Sequence, residues 1–230
     1  MSIVFIISAP SGSGKSTLVN ELRKIVPNLD FSISYTTRSA RGSEHHGKEY
    51  FFVQPEQFEA MVRNNEFLEH AEFDGNCYGT ARRFLREAEA KGNDLLLDID
   101  VQGAEQIKRA IPGAVSIFIL PPDRKTLEWR LRNRSEDSKE VIQRRLVTAG
   151  REIEKYDKYD YILVNDRLED SVEALKAIVL AERSRRLGCV VSADDSKYQQ
   201  IAEQCRLDNV RERVQPIIAS FVSTSVHGGR

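Results

Sequence analysis

Five consecutive apolar residues, Ile3-Val4-Phe5-Ile6-Ile7, run almost directly into Ala9-Pro10-Ser11-Gly12-Ser13-Gly14-Lys15-Ser16-Thr17. An all-apolar run of this length, cut by a glycine-rich turn, reads as a strand buried on both faces, and such strands belong to parallel sheets covered by helices. After the turn, Leu18, Leu22 and Ile25 recur at helical spacing, so the junction is strand, loop, helix. This geometry aims several backbone N–H groups at one point, where the helix dipole also favours negative charge. A nucleoside triphosphate is the natural occupant. The pattern G-x-x-x-x-G-K-[ST] is met at Gly14, Lys15 and Ser16, with Ala9 in place of the first glycine. Alanine serves there if its φ is negative and the ligand does not touch its α carbon. Lys15 is then placed to reach the β and γ phosphates, and Ser16 to bind Mg²⁺.

A chain of 230 residues with 40% hydrophobic content holds one large domain, or one core carrying inserted subdomains. A net charge of −1 gives no reason to expect general nucleic-acid or membrane binding, so substrate charge must be met locally. The apolar start is too short for a membrane span and lacks the basic flank of a signal peptide, which places the expected site of action in the cytoplasm. Cys77, Cys189 and Cys205 show no metal-ligand spacing and read as reduced thiols. The adjacent His45 and His46 lie in a polar, glycine-rich stretch and read as a solvated loop.

The spacing predicts a helix from Ser16 to about Val26, a short strand over Asp30 to Ser34, and a polar loop from Tyr35 to Gly47. Glu49 to Val53 and Phe67 to Tyr78 read as short antiparallel strands, with Asp74-Gly75 as a hairpin turn and Pro55 to Arg63 as an intervening helix. Arg82 to Lys91 is a helix stopped by Gly92, and Asp94 to Asp100 a buried strand ending in acids. Then follow a helix over Gln102 to Ala110, the all-apolar strand Val115 to Leu120, two arginine-rich helices after Pro121-Pro122, and the strand Tyr161 to Val164. Leu168 to Leu187 reads as a long amphipathic helix, and the remainder as an appendix with helices near Ser196 to Cys205 and Asn209 to Ser220. Alternation of this kind makes a doubly wound α/β sheet with ligands at the carboxyl ends of its strands.

Three stretches carry candidate chemistry. Asp98 and Asp100 alternate along the predicted strand and so share a side, one facing a metal and the next reaching toward a second substrate. Ser34 to Arg41, followed by Glu44, Gly47 and Tyr50, clusters arginines and hydroxyls as a phosphomonoester needs. Arg130 and Arg134 share a helix face near Arg145. Solvated acids and solvated basic faces are the plain alternatives for each stretch taken alone.

Taken together, the chain resembles the guanylate kinases. The resemblance runs through Ala9 to Thr17, Thr36-Thr37-Arg38 with Arg41 and Tyr50, Phe67-Leu68-Glu69, Gly75 to Thr80, Leu97 to Asp100, Arg130 with Arg134 and Arg145, and Val164-Asn165-Asp166. It covers about four-fifths of the chain. It implies a P-loop doubly wound parallel sheet with an inserted small mixed α/β subdomain for the nucleoside monophosphate and a helical lid. The expected bounds are a kinase domain over 1–187, with core segments near 1–33, 93–123 and 156–187, the insertion near 34–92, the lid near 124–155, and an extension of unassigned role over 188–230.

The resemblance also implies Mg²⁺-assisted transfer from ATP to GMP or dGMP. Arg38, Arg41, Tyr50 and Tyr78 would hold the GMP phosphate, and Ser34, Glu69, Thr80 and Asp100 would read the guanine. The loop residues Ala9 to Thr17 would hold ATP together with Arg130, Arg134 and Asn165, the last near adenine. Lys15, Arg38, Arg130, Arg134 and Arg145 would serve the transfer, and Ser16 and Asp98 the metal. A carboxylate at Glu69 accepts guanine N1–H and N2–H side by side, whereas adenine offers it an unprotonated N1. Departures from the family pattern are Ala40 for proline, a glycine shifted by Gly42-Ser43, Cys77 for tyrosine and Ser135 for glycine. Small-molecule nucleotides are the expected partners, without nucleic acid or membrane, and a homo-oligomer stays open. Two other functions are compatible with the fold: an inactive protein-binding module, against which stand Lys15, Arg38 and Arg41, and a kinase of another phosphorylated ligand, in which Glu69 would have a different duty.

Overall fold

The computed structural model describes residues 2–134, 138–188 and 193–222. In chain order the elements are β1 (Val4–Ser8), α1 (Lys15–Ile25), β2 (Leu29–Phe31), β3 (Tyr35–Thr36), β4 (Phe51–Phe52), α2 (Pro55–Arg63), β5 (Phe67–Phe73), β6 (Asn76–Ala81), α3 (Arg82–Lys91) and β7 (Asp94–Asp98). They continue with α4 (Val101–Ala110), β8 (Val115–Leu120), α5 (Arg124–Arg134), α6 (Lys139–Ile153), a 3₁₀ turn (Tyr156–Lys158), β9 (Tyr161–Val164), α7 (Leu168–Leu187), α8 (Ala193–Gln204) and α9 (Leu207–Val222). Five strands form one sheet in the order β2-β7-β1-β8-β9, and four form a second in the order β4-β3-β6-β5. The chain is mixed α/β, as expected, and divides into two compact units: Met1–Ile6 with Asn28–Val115, and Ile7–Pro27 with Ser116–Arg230.

In the first unit β2 pairs in parallel with β7, from Leu29 opposite Asp94 to Phe31 opposite Leu96. The Ile3 N–H donates to Asp94 Oδ1 at 2.7 Å and the Leu95 N–H to Ile3 O at 2.9 Å. The second sheet belongs wholly to this unit. Its β5–β6 hairpin turns at Asp74 (φ 51) and Gly75 (φ 72), both left-handed, which is the geometry that lets strand twist continue through a two-residue loop. Phe58 and Met61 of α2 pack with Phe67 and Ala81, and Tyr35, Cys77 and Phe84 lean on that cluster. Tyr35–Thr36, expected in a polar loop, is a strand paired with both β4 and β6. The strand expected over Asp30 to Ser34 ends at Phe31.

In the second unit β8 and β9 pair in parallel, from Ile117 opposite Tyr161 to Leu120 opposite Val164, and every residue of β8 is buried. Leu18, Val19 and Leu22 form the buried stripe of α1, while Ile25, expected to share it, is 46% exposed beside the helix end. α7 departs from a one-sided pattern as well. It packs against α1 and also against α8, so Leu175, Ala177, Ile178, Val179 and Ala181 are buried around most of its girth. The appendix is therefore part of this unit's packing: α8 lies on α7, and α9 on β9, α5 and α6. Cys189 lies outside the described residues.

Candidate active site

The loop after β1 is built on two left-handed glycines, Gly12 (φ +90) and Gly14 (φ +88), a conformation open to glycine without strain. Between them the Ser13 N–H donates to Pro10 O at 3.1 Å. Gly14 is also the N-cap of α1 and no side chain caps that end, so the positive end of the helix dipole faces the loop. Ala9 is not among the left-handed non-glycine residues, which are Asn28, Asn65 and Asp74 among those described, so alanine fits the position the motif gives to glycine. The buried Ser13 hydroxyl has no hydrogen-bond partner, an arrangement costing about 1–3 kcal/mol unless a ligand completes it. An incoming phosphate fits this cradle.

Neighbouring elements close around the loop. A β carbon on Gly12 would lie 2.9 Å from Leu131 Cδ2 and 3.0 Å from Leu127 Cδ1 on α5, and one on Gly14 would lie 2.4 Å from Asn165 Nδ2. Asn165 Nδ2 donates to Ser13 O at 2.7 Å, tying the end of β9 to the loop backbone. Arg130 Nη2 donates to Asn165 O at 3.0 Å, and Arg130 Nη1 is buried with no partner. A guanidinium nitrogen left bare beside an anion cradle is suited to a phosphate oxygen. Lys15 and Arg145 are half-buried, and Ser16 and Thr17 are exposed. Arg134 is the last residue of α5, but its side chain and Ser135 lie outside the described residues.

The second group of candidate residues sits on the four-stranded sheet. Glu69 on β5 stands directly opposite Thr80 on β6, and Tyr78, two residues along β6, stands opposite Thr36 on β3. Directly opposed residues share a face, so Glu69, Thr80, Tyr78 and Thr36 line one side of the sheet. Phe67, Cys77, Gly79 and Ala81 line the other, against α2. Uninterrupted alternation would put Phe67 and Glu69 on the same side. A register shift between them, a bulge at Leu68, is what turns Glu69 away from the apolar cluster.

Glu69 is 5% exposed. Burial in a poorly solvated site, reinforced by the negative charge of Asp100, pushes its carboxyl pKa up to about 7, against a weaker opposite pull from Thr80. The buried Thr80 hydroxyl stands close enough to Glu69 to favour the ionised carboxyl, but falls short of a well-formed hydrogen bond. Asp100 is not the last residue of a strand: β7 ends at Asp98, and Asp100 is the N-cap of α4, its Oδ1 accepting the N–H groups of Gln102 and Gly103 at 2.8 Å each. The expected strand alternation of Asp98 and Asp100 therefore fails, because a two-residue step into a helix cap replaces it. Asp98 is half-buried at the strand end.

Arg38 is 9% exposed and held on several sides. Its Nη2 pairs with Glu44 Oε1 at 3.0 Å, its Nη1 donates to Ser39 O at 2.8 Å, and its guanidinium carbon lies 5.4 Å from the Tyr50 ring centre. Burial works to lower its pKa, yet Glu44 and Tyr78 outweigh burial and hold it above the ordinary value. The Tyr50 and Tyr78 rings meet edge to face at 5.9 Å. Three of the four residues expected on a phosphate, Arg38, Tyr50 and Tyr78, are thus together. The fourth, Arg41, is exposed and gives only its backbone N–H to Glu44 Oε2 at 2.8 Å. Ser34 is half-buried, its carbonyl accepting the Phe51 N–H.

Two residues were given no role by the sequence reading. Glu44 bridges Arg38 and the Arg41 backbone and so fixes the loop between β3 and β4. Gly103 lies in the first turn of α4, where a β carbon would sit 2.5 Å from Glu69 Oε2; its bare backbone is what lets the helix seat against the carboxylate. A glycine inside a helical pattern was the available signal. Among the described residues no group of three or more His, Cys, Asp or Glu gathers as a metal-binding cluster, and no helix is long and apolar enough to cross a membrane.

Several known proteins are similar to this chain. The family model for guanylate kinase matches residues 1–182. A guanylate kinase of Koribacter versatilis is 60% identical over 221 residues, 95% of each chain. One from Escherichia coli K12 is 48% identical over 184 residues, covering 79% of this chain and 89% of that one. Among solved structures, the guanylate kinase of Anaplasma phagocytophilum superposes with a TM-score of 0.66 at 36% identity, over 79% of this chain and 86% of its own.

Proposed function

The chain belongs to the guanylate kinase family, phosphotransferases acting on GMP, and we propose a division of labour among its residues: the P-loop holds ATP, and the four-stranded sheet holds GMP. The observation that carries the acceptor half is the carboxylate of Glu69, buried and turned by a bulge onto the same sheet face as Thr80 and Tyr78. Guanine presents two adjacent N–H donors to such a carboxylate, and the Thr80 hydroxyl donates to O6. Adenine leaves the buried anion unpaired, which supports discrimination of ~10⁴ or more. Ser34 and Asp100 border the base. Arg38, Tyr50 and Tyr78, with Arg41 swinging in from solvent, take the GMP phosphate.

On the donor side Lys15 and the loop N–H groups bind the β and γ phosphates, and Arg130 offers its bare Nη1. Arg134 and Arg145 add charge to the transferring group. The GMP phosphate is already anionic and needs no strong base, so these cations act by offsetting like-charge repulsion and transition-state charge. Mg²⁺, when bound, would supply charge neutralisation at the donor phosphates. The Ser16 hydroxyl and Asp98 carboxylate would hold it, being oxygen donors of the kind this hard cation prefers. Asn165 acts on the loop backbone and borders the adenine. In domain terms, residues 1–187 form the kinase, 34–92 its acceptor insertion and 124–155 its lid. A cytoplasmic setting suits the free thiols Cys77 and Cys205.

The test is ADP formation from ATP and Mg²⁺ with GMP, dGMP, AMP, CMP and UMP offered separately. GMP and dGMP support turnover and the others do not. Equal rates with AMP would overturn the assignment of Glu69 and its neighbours.

A further inference from the structure

The family model ends at residue 182, yet α8 and α9 lie beyond it and pack into the unit that holds the P-loop. Three contacts fix them. The segment between α8 and α9 extends the edge of the parallel sheet: the Ile162 N–H donates to Cys205 O at 2.8 Å and the Leu207 N–H to Asp160 O at 3.1 Å, with Arg206 bridged antiparallel to Tyr161. This covers the open edge of β9. Arg206 then joins a charge cluster around the buried Glu182. Its Nη2 lies 3.3 Å from the Glu182 carboxylate, which also takes the Tyr161 hydroxyl and Arg185, and its guanidinium carbon lies 5.0 Å from the Tyr161 ring centre.

The third contact reaches the helices after Pro122. α9 buries Val210, Val214 and Phe221 and touches α5, α6 and β9. Ser220 Oγ accepts the N–H of Arg124, the first residue of α5, at 3.2 Å, and Gln215 Nε2 donates to the Tyr156 hydroxyl beyond α6 at 2.9 Å. A helix's first N–H groups have no partner of their own, so Ser220 caps α5 from another segment. The same α5 lays Leu127 and Leu131 against Gly12 and carries Arg130 to Asn165.

We propose that α9 is a brace for α5: Ser220 and Phe221 are positioning residues that hold Arg130 at the phosphate loop before ATP arrives. Asp123 caps α5 locally, its Oδ1 accepting the Thr126 N–H at 2.7 Å, but the Arg124 N–H is taken by Ser220, and Leu127 and Leu131 are the residues α5 buries fully. Anchoring its first turn to α9, itself latched by Arg206, keeps the arginine in register. The proposal rests on the kinase reading for its kinetic consequence, but its structural consequence can be read independently.

Trp129, on α5 and 65% exposed, is the chain's single tryptophan and reports that helix directly. The experiment uses the full chain with Phe221→Ala, Phe221→Leu, Ser220→Ala and Ser220→Thr. Trp129 anisotropy and steady-state kinetics with ATP and GMP are measured, and circular dichroism confirms folding. Expected are lower anisotropy and a kcat reduced about tenfold for Phe221→Ala, a smaller loss for Ser220→Ala, and KM for GMP within twofold of wild type. Phe221→Leu and Ser220→Thr recover most of both signals. Unchanged anisotropy and kcat in the folded Ala variants would overturn the brace, as would a loss confined to KM for GMP. A wild type inactive toward GMP refutes the kinase reading, while the anisotropy still decides the brace. Should Phe221→Ala not fold, Ser220→Ala against Ser220→Thr decides it alone.

Discussion

Replacing Glu69 by glutamine should stabilise the chain while impairing its use of GMP. The carboxyl is 5% exposed and its pKa is displaced from 4.5 to about 7, chiefly by burial. The folded state therefore holds this proton more tightly than the unfolded state does. Between pH 4.5 and 7 the folded chain binds more protons, so stability falls as pH rises through that window, and the loss is complete above pH 7. At about 1.4 kcal/mol per pH unit, the displacement corresponds to about 3 kcal/mol. Glutamine keeps the shape without the ionisation. Urea unfolding followed by far-UV circular dichroism should show Glu69→Gln no more stable than wild type near pH 4.5 but more stable by roughly 2–3 kcal/mol at pH 8. In the proposed role of Glu69 the same residue sets a kinetic limb, because only the ionised carboxylate accepts both guanine N–H groups. Wild-type kcat/KM for GMP should fall about tenfold per unit below pH 7. The GMP phosphate titrates near pH ~6, but that limb persists in Glu69→Gln while the limb near 7 disappears. A stability difference equal at both pH values would refute the reasoning.

Three further outcomes follow from the geometry. Gly103→Ala places a β carbon 2.5 Å from Glu69 Oε2, so KM for GMP rises at least about tenfold with KM for ATP unchanged, as steady-state assays will show. Gly14→Ala meets both a left-handed φ of +88 and Asn165 Nδ2 at 2.4 Å; calorimetry should show a lowered Tm, about 1–2 kcal/mol lost, and titration a loss of ATP binding. Lys15→Ala abolishes transfer to GMP in the ADP-release assay while circular dichroism stays that of the folded chain.

Much of the frame was legible because its signals are local. The strands Val115–Leu120 and Tyr161–Val164 are unbroken apolar runs, the helix Arg82–Lys91 stops at a left-handed Gly92, and Asp74-Gly75 carries the positive φ values that a tight hairpin needs. The P-loop was legible for the same reason. What escaped depends on partners distant in sequence. Tyr35–Thr36 is a strand only because β4 and β6 flank it, and two residues in a polar run show no period. Asp100 has the composition of a strand end, but the N–H groups of Gln102 and Gly103 capture its carboxylate. The even burial of α7 reflects α8 packed on it, which no periodicity in α7 alone discloses. In the proposed acceptor site the residue types were readable, whereas the bulge at Leu68 that turns Glu69 from the apolar face to the opposite face of the sheet was not. Glu44 as the holder of Arg38 and Gly103 as the seat for Glu69 emerge only from the fold.

The account turns on a buried carboxylate that selects the acceptor base. Its most direct test is the ratio of kcat/KM for GMP to that for AMP, measured for wild type and Glu69→Gln at pH 8 with saturating ATP and Mg²⁺. The predicted wild-type ratio is ~10⁴ or more, falling by at least about a hundredfold in the glutamine variant, mainly through GMP. A ratio unchanged by the substitution would contradict the claim that Glu69 reads guanine.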